Sequence, residues 1–124
     1  MIRSSRPFFL NLVQIRLPLG GWVSILHRGS GVVLALLTPA LLYALALSLQ
    51  SPDGFAAVRD FFAHGLGALI GLGGVWLWLH HLFAGLRHLG FDVGIGEGRL
   101  AARRSALWVL LLAIGGTGVW WLWL

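Results

Sequence analysis

The sequence predicts an all-α integral membrane protein that crosses the bilayer as three transmembrane helices. Hydrophobic residues make up 58% of its 124 positions and charged residues only 10%, against about 25% charged in a soluble domain. Water solvates so apolar a surface poorly, so the bilayer is the expected solvent. The apolar residues also gather into three runs close to the roughly 20 residues that cross a hydrocarbon core as a helix. Arginines flank these runs rather than interrupting them.

The first span is expected over residues 22–49. Its uncharged part begins after Arg28, and Pro39 inside it is a tolerable kink in a membrane helix. Ser51-Pro52-Asp53-Gly54 is a turn signal that ends it. The second span, 61–89, is uncharged over 61–86 but carries His64, His80 and His81. A polar, glycine-bearing loop over 90–104 leads to the third span, 106–124. Gly67, Gly71, Gly73, Gly74 and Gly85 in the second span, with Gly115, Gly116 and Gly118 in the third, are expected to let helices approach closely. Trp120, Trp121 and Trp123 fit an interfacial aromatic belt. Residues 1–21 read as a polar arm with two prolines rather than a cleavable signal peptide. Phe8, Phe9 and Leu10 need cover, which favours an arm docking a soluble partner at the membrane surface over a disordered tail. The whole reads as one membrane-anchor domain without repeats.

The net charge of +5 comes from arginine alone, since the chain has no lysine. Arg3, Arg6, Arg16 and Arg28 precede the first apolar run, and Arg87, Arg99, Arg103 and Arg104 surround the second loop. The first loop has only Arg59, beside Asp53 and Asp60. The positive-inside rule places the N-terminus and second loop in the cytoplasm, with the first loop and C-terminus across the membrane. The arginines form no basic stripe, so nucleic acid is not an expected partner. The absence of cysteine excludes disulfides, thiolate metal sites, iron–sulfur ligation and c-type haem attachment.

Two constellations could carry chemistry. Ser24 and Arg28, four apart at the start of the first helix, share a face with His27 close by. A hydroxyl and a guanidinium there could hydrogen-bond a carbonyl or carboxylate; alternatively, Arg28 is a snorkelling anchor and Ser24 a packing residue. The second runs from His80 to Asp92. A histidine in an apolar span is costly and is a functional hypothesis by default, and neutral imidazole is a usual haem-iron ligand. His81 and His88, seven apart, share a face, and Gly85 between them leaves it open to something flat and bulky. His80 faces elsewhere. The alternative is a set of histidines hydrogen-bonded between helices. His64 lies 17 residues before His81, roughly 25 Å along a helix, so it reads as interfacial.

Together these segments resemble the larger membrane-anchor subunit of succinate dehydrogenase, a cytochrome b, in its proteobacterial form. The matching text is Arg6-Pro7, Asn11-Leu12, Ile15-Arg16-Leu17-Pro18, Ser24-Ile25-Leu26-His27-Arg28 with Ser30-Gly31, and Ser51-Pro52-Asp53-Gly54-Phe55. The strongest element is His81, Gly85-Leu86-Arg87-His88 and Asp92. His80 is an extra histidine, and the family's lysines are arginines here. The resemblance implies a four-subunit complex of the bacterial inner membrane, serving electron transport and the tricarboxylic acid cycle. A flavoprotein oxidises succinate, an iron–sulfur subunit passes electrons to ubiquinone, and two membrane anchors complete one bundle and share one haem b. This chain would be one anchor, with no succinate-oxidising site of its own. By resemblance His81 is the haem axial ligand, Ser24 and Arg28 bind quinone, and His27 and Arg28 contact the haem propionates. Asp92 lies near the quinone-site charges, with Arg87 and His88 in support. His27 is expected at the depth of Arg87, about two turns too near the surface to bond the iron that His81 binds. A fumarate reductase anchor and a haem-free structural anchor are the alternative readings.

Overall fold

The computed structural model describes residues 16–123. Arg3, Arg6-Pro7, Phe8, Phe9, Leu10, Asn11-Leu12 and Ile15 lie outside them. Among the described residues there are four helices and no strand: α1 Leu19–Gln50, α2 Pro52–Ala63, α3 Gly65–Asp92 and α4 Arg99–Leu122. Helices α1, α3 and α4 are long and apolar enough to cross a membrane. The all-α, three-span class predicted from composition therefore stands. The 32 residues of α1 extend about 48 Å, well beyond the roughly 30 Å of a hydrocarbon core. Its uncharged stretch after Arg28 can cross by itself, so the turns carrying Ser24 and Arg28 fall at one end of the span.

The element bounds differ from the sequence expectation in one large respect. Residues 52–63, expected as loop and as the start of the second span, form a separate helix, α2. Ser51 caps it, accepting a hydrogen bond from the Gly54 amide at 3.0 Å, and Pro52 and Asp53 occupy its first turn. This is a helix-start signature, with an N-cap serine, a proline at N1 and an acid near the positive end of the dipole. Gly54 lets this turn lie directly on the Leu47 carbonyl of α1, a space that a Cβ would fill. Gly65, at φ +55°, reverses the chain into α3. Phe61 and Phe62 therefore belong to α2. With Ala57 and Val58 they line an apolar cavity of about 870 Å³ against α1 and α3, while Arg59 and Asp60 pair outside it at 3.0 Å. Trp120 also lines that cavity, whereas Trp121 and Trp123 are exposed. The second loop is shorter than expected, because α3 continues to Asp92 and α4 begins at Arg99.

The core is made of small side chains. Val23 of α1, Ala84 of α3 and Ala106 and Val109 of α4 form one buried cluster, as expected where close backbone approach, not bulk, joins membrane helices. Of the glycines expected to serve this approach, Gly116 lies against Leu79 and Gly71 against Phe62. At Gly73, Gly74, Gly115 and Gly118 an added Cβ would meet nothing within 4 Å beyond its own helix turn.

Candidate functional site

Helix α3 presents two chemically different faces. One carries His81, Gly85 and His88 towards α1. His81 Nδ1 lies 3.1 Å from the backbone carbonyl oxygen of His27 and 3.2 Å from Ser30 Oγ. Ser30 in turn donates to that same carbonyl at 2.9 Å. A carbonyl only accepts, so the His81 proton sits on Nδ1 and the Nε2 lone pair is left available. Gly31 provides the seat: a Cβ there would stand 2.9 Å from His81 Cε1.

The His27 ring stacks on His81, with centroids 4.3 Å apart and planes at 20°. It also lies 5.2 Å from the His88 ring. This corrects the expected depth of His27. In the antiparallel register of α1 and α3, Gly31 faces His81, and His27 Nε2 lies 3.4 Å from where a Gly85 Cβ would stand. His27 is thus level with Gly85, one helical turn from His81, and its side chain closes the remaining gap. The space over Gly85 is taken up by the His27 imidazole. Helix bounds do not fix this register: α1 begins three residues earlier and α3 ends three residues later than expected, and the two shifts cancel.

The other face of α3 is closed. His80 is fully buried, four residues before Ala84 and so on its side of the helix, and stacks on Trp76 at 5.3 Å. Neither of its ring nitrogens has a hydrogen-bond partner among the described residues. Arg87 is drawn to the same side. Its Nε donates to Ser105 Oγ at 3.0 Å, its Nη2 donates to the Ala102 carbonyl at 3.3 Å, and its guanidinium lies 4.5 Å over the Phe91 ring. Arg87 thereby ties the end of α3 to the start of α4.

Ser24 is half-buried and Arg28 exposed on the first turns of α1; neither side chain hydrogen-bonds another described residue. Asp92 is exposed and forms no ion pair among the described residues. No group of three or more histidine and acidic side chains among the described residues is arranged to hold a metal ion by itself. His81 nevertheless fits an axial ligand. Metal-bound histidines almost always donate their other ring N–H to a carbonyl, carboxylate or water, and His81 does this within the chain. Sequence reasoning named His81 but gave Ser30 and Gly31 no role. The available signal was their spacing, three and four residues after His27 and hence on its side of the helix.

Over residues 2–119 the chain matches the family described as succinate dehydrogenase/fumarate reductase transmembrane subunit. The succinate dehydrogenase cytochrome b556 subunit of Coxiella burnetii (strain RSA 493 / Nine Mile phase I) is 35% identical over 127 residues, covering 96% of this chain and 98% of that one. The succinate dehydrogenase cytochrome b556 subunit of Paracoccus denitrificans is 36% identical over 94 residues, covering 76% of this chain and 72% of that one.

Proposed function

The chain belongs to the succinate dehydrogenase/fumarate reductase transmembrane subunit family, and from that premise we propose that it is the haem b-bearing anchor of a succinate:quinone oxidoreductase. The observation that carries the reading is the seating of His81: Nδ1 is bonded to the His27 carbonyl, the ring lies over Gly31, and Nε2 is available. A second anchor subunit would supply the other protein ligand to the haem, and a flavoprotein and an iron–sulfur subunit would dock on the cytoplasmic side. When bound, haem b supplies a one-electron centre within the membrane.

Ser24 and Arg28 serve ubiquinone. A quinone tail partitions into lipid while its carbonyls need donors at the polar edge, where the first turns of α1 lie. The Ser24 hydroxyl donates to one carbonyl. The exposed Arg28 cation stabilises the negative charge that reduction builds on the oxygens, a contribution made where charge develops. Water at the cytoplasmic surface brings the two protons. His27 and Arg28 would hold the propionates, with Asp92 and His88 at the same end of the bundle. The arginine distribution sets the orientation, N-terminus in the cytoplasm and C-terminus in the periplasm of a bacterial inner membrane.

The test is what accompanies the chain from detergent. The expected preparation contains a flavoprotein, an iron–sulfur protein and a low-spin haem band that succinate reduces. A preparation with both soluble subunits but no haem identifies a bare tether, and bound menaquinone in place of ubiquinone, with its lower potential, favours the fumarate reductase reading. Reporter fusions at Asp53 and Gly96 should report periplasm and cytoplasm respectively; a cytoplasmic signal at Asp53 overturns the topology.

A further inference from the structure

Ser30 is 3% exposed, on the α1 side of His81. Its hydroxyl proton goes to the His27 carbonyl at 2.9 Å, so only lone pairs remain on Oγ to face His81 Nδ1 at 3.2 Å. The carbonyl has two lone pairs and can accept from both Ser30 and His81. The Nδ1–H of His81 is thus shared between two acceptors, one backbone and one side-chain. The backbone acceptor comes with any residue at position 27, whereas the second depends on the hydroxyl of Ser30.

We propose that Ser30 is a positioning residue for the iron ligand: its oxygen is the second acceptor for the His81 Nδ1–H and holds the haem potential down. Two acceptors on one N–H pull electron density towards Nε2 and make the imidazole a stronger donor. A stronger donor favours oxidised over reduced iron, so the midpoint potential falls. Ser30 also fixes the plane of the ring. The hydroxyl, the carbonyl and the Gly31 backbone meet His81 on one side, leaving its outer edge for the metal.

The inference rests on the reading of His81 as an axial ligand, and the experiment separates the two. Ser30→Ala, Ser30→Thr and His81→Ala are made in the whole complex, and each is titrated potentiometrically while the haem absorption band is followed. Ser30→Ala removes one atom from a helix and leaves the carbonyl in place, so haem stays low-spin at wild-type content. Its midpoint should rise by the equivalent of about a threefold change in relative affinity for the two iron states. That is roughly 30 mV at 59 mV per tenfold for one electron. Ser30→Thr keeps an oxygen that can bond the same carbonyl and should restore the wild-type midpoint. A residue that only packed would give haem loss or no shift in Ser30→Ala, and threonine would not rescue. An unchanged or lowered midpoint in Ser30→Ala, with His81→Ala devoid of low-spin haem, overturns the role of Ser30 alone. Low-spin haem surviving in His81→Ala overturns the ligand assignment and this inference with it.

Discussion

His80 and His81 are neighbours in sequence and opposites in setting. His81 is half-buried against α1, hydrogen-bonded through Nδ1, with no partner on the other nitrogen among the described residues. His80 is fully enclosed on the face of Ala84, stacked on Trp76, with neither nitrogen bonded among the described residues. One residue along a helix turns a side chain by about 100°, enough to move an imidazole from a ligand-ready seam into a packing seam. A pair of adjacent histidines therefore does not amount to a paired site. What distinguishes them is what the neighbouring helix offers. Opposite His81, α1 provides a carbonyl, a hydroxyl and a glycine. Around Ala84, by contrast, the cluster is built of alanine and valine.

The largest effect should separate the two directly. His81→Ala should abolish the low-spin haem spectrum of the complex and reduce its yield, since a bound group stabilises the assembled state by mass action. His80→Ala should keep the spectrum. The opposite pattern would exchange the roles of the two faces.

Much of this contrast was legible in the sequence, because a period of 3.6 residues assigns His81, Gly85 and His88 to one face and His80 to another. The three spans were legible for the same kind of reason: length and apolarity are local properties. Two things were not. Ser51-Pro52-Asp53 signals both the end of one helix and the start of the next, and the close packing of Gly54 on the Leu47 carbonyl is a contact that this local text does not show. The register between α1 and α3 is a tertiary quantity, so His27, expected level with Arg87, was placed about half a turn from its actual level beside Gly85. Ser30 and Gly31 gain their meaning only from that register.

The next effect tests what α1 brings to the open face. Ser24→Ala should lower succinate-driven ubiquinone reduction by about 10²–10³, the usual cost of one well-aimed donor to a developing oxyanion. Dye-linked succinate oxidation and haem content should be unchanged. Normal assembly with a wild-type rate and Michaelis constant would make this serine a packing residue.

A smaller change addresses the seat of His81. Gly31→Ala places a methyl 2.9 Å from His81 Cε1, so the ring must shift away from its two acceptors. We expect overpacking strain of about 1–3 kcal/mol, seen as weaker haem retention during detergent dilution. Gly73→Ala, with nothing within 4 Å, is the matched control and should retain haem normally. On the closed face, Arg87→Leu removes the bonds to Ser105 and Ala102 and should cost about 1–3 kcal/mol of thermal stability. Haem should remain at wild-type content before heating. Haem loss at low temperature would show that Arg87 also serves the open face.

The smallest expected effect is the most informative about the closed face. His80→Leu replaces a buried ring whose two nitrogens lack partners among the described residues with an apolar side chain. Burying an unpaired polar group costs on the order of 1–3 kcal/mol, and an apolar replacement removes that cost. Against this stands the loss of the stack on Trp76, worth about 0.5–1.5 kcal/mol if it behaves as an ordinary aromatic pair. The two contributions are of similar size and opposite sign, so the unfolding temperature of the complex in detergent should move little, with any shift upwards. Haem content and midpoint should stay at wild-type values, because His80 touches neither acceptor of the His81 ring. His80→Phe, which keeps a ring over Trp76, should be the more stable of the two variants. A drop of several degrees in both, accompanied by haem loss, would show that the His80 nitrogens bond a group supplied by the assembled complex. The closed face would then be a second polar site, and the contrast between the two histidines would fail.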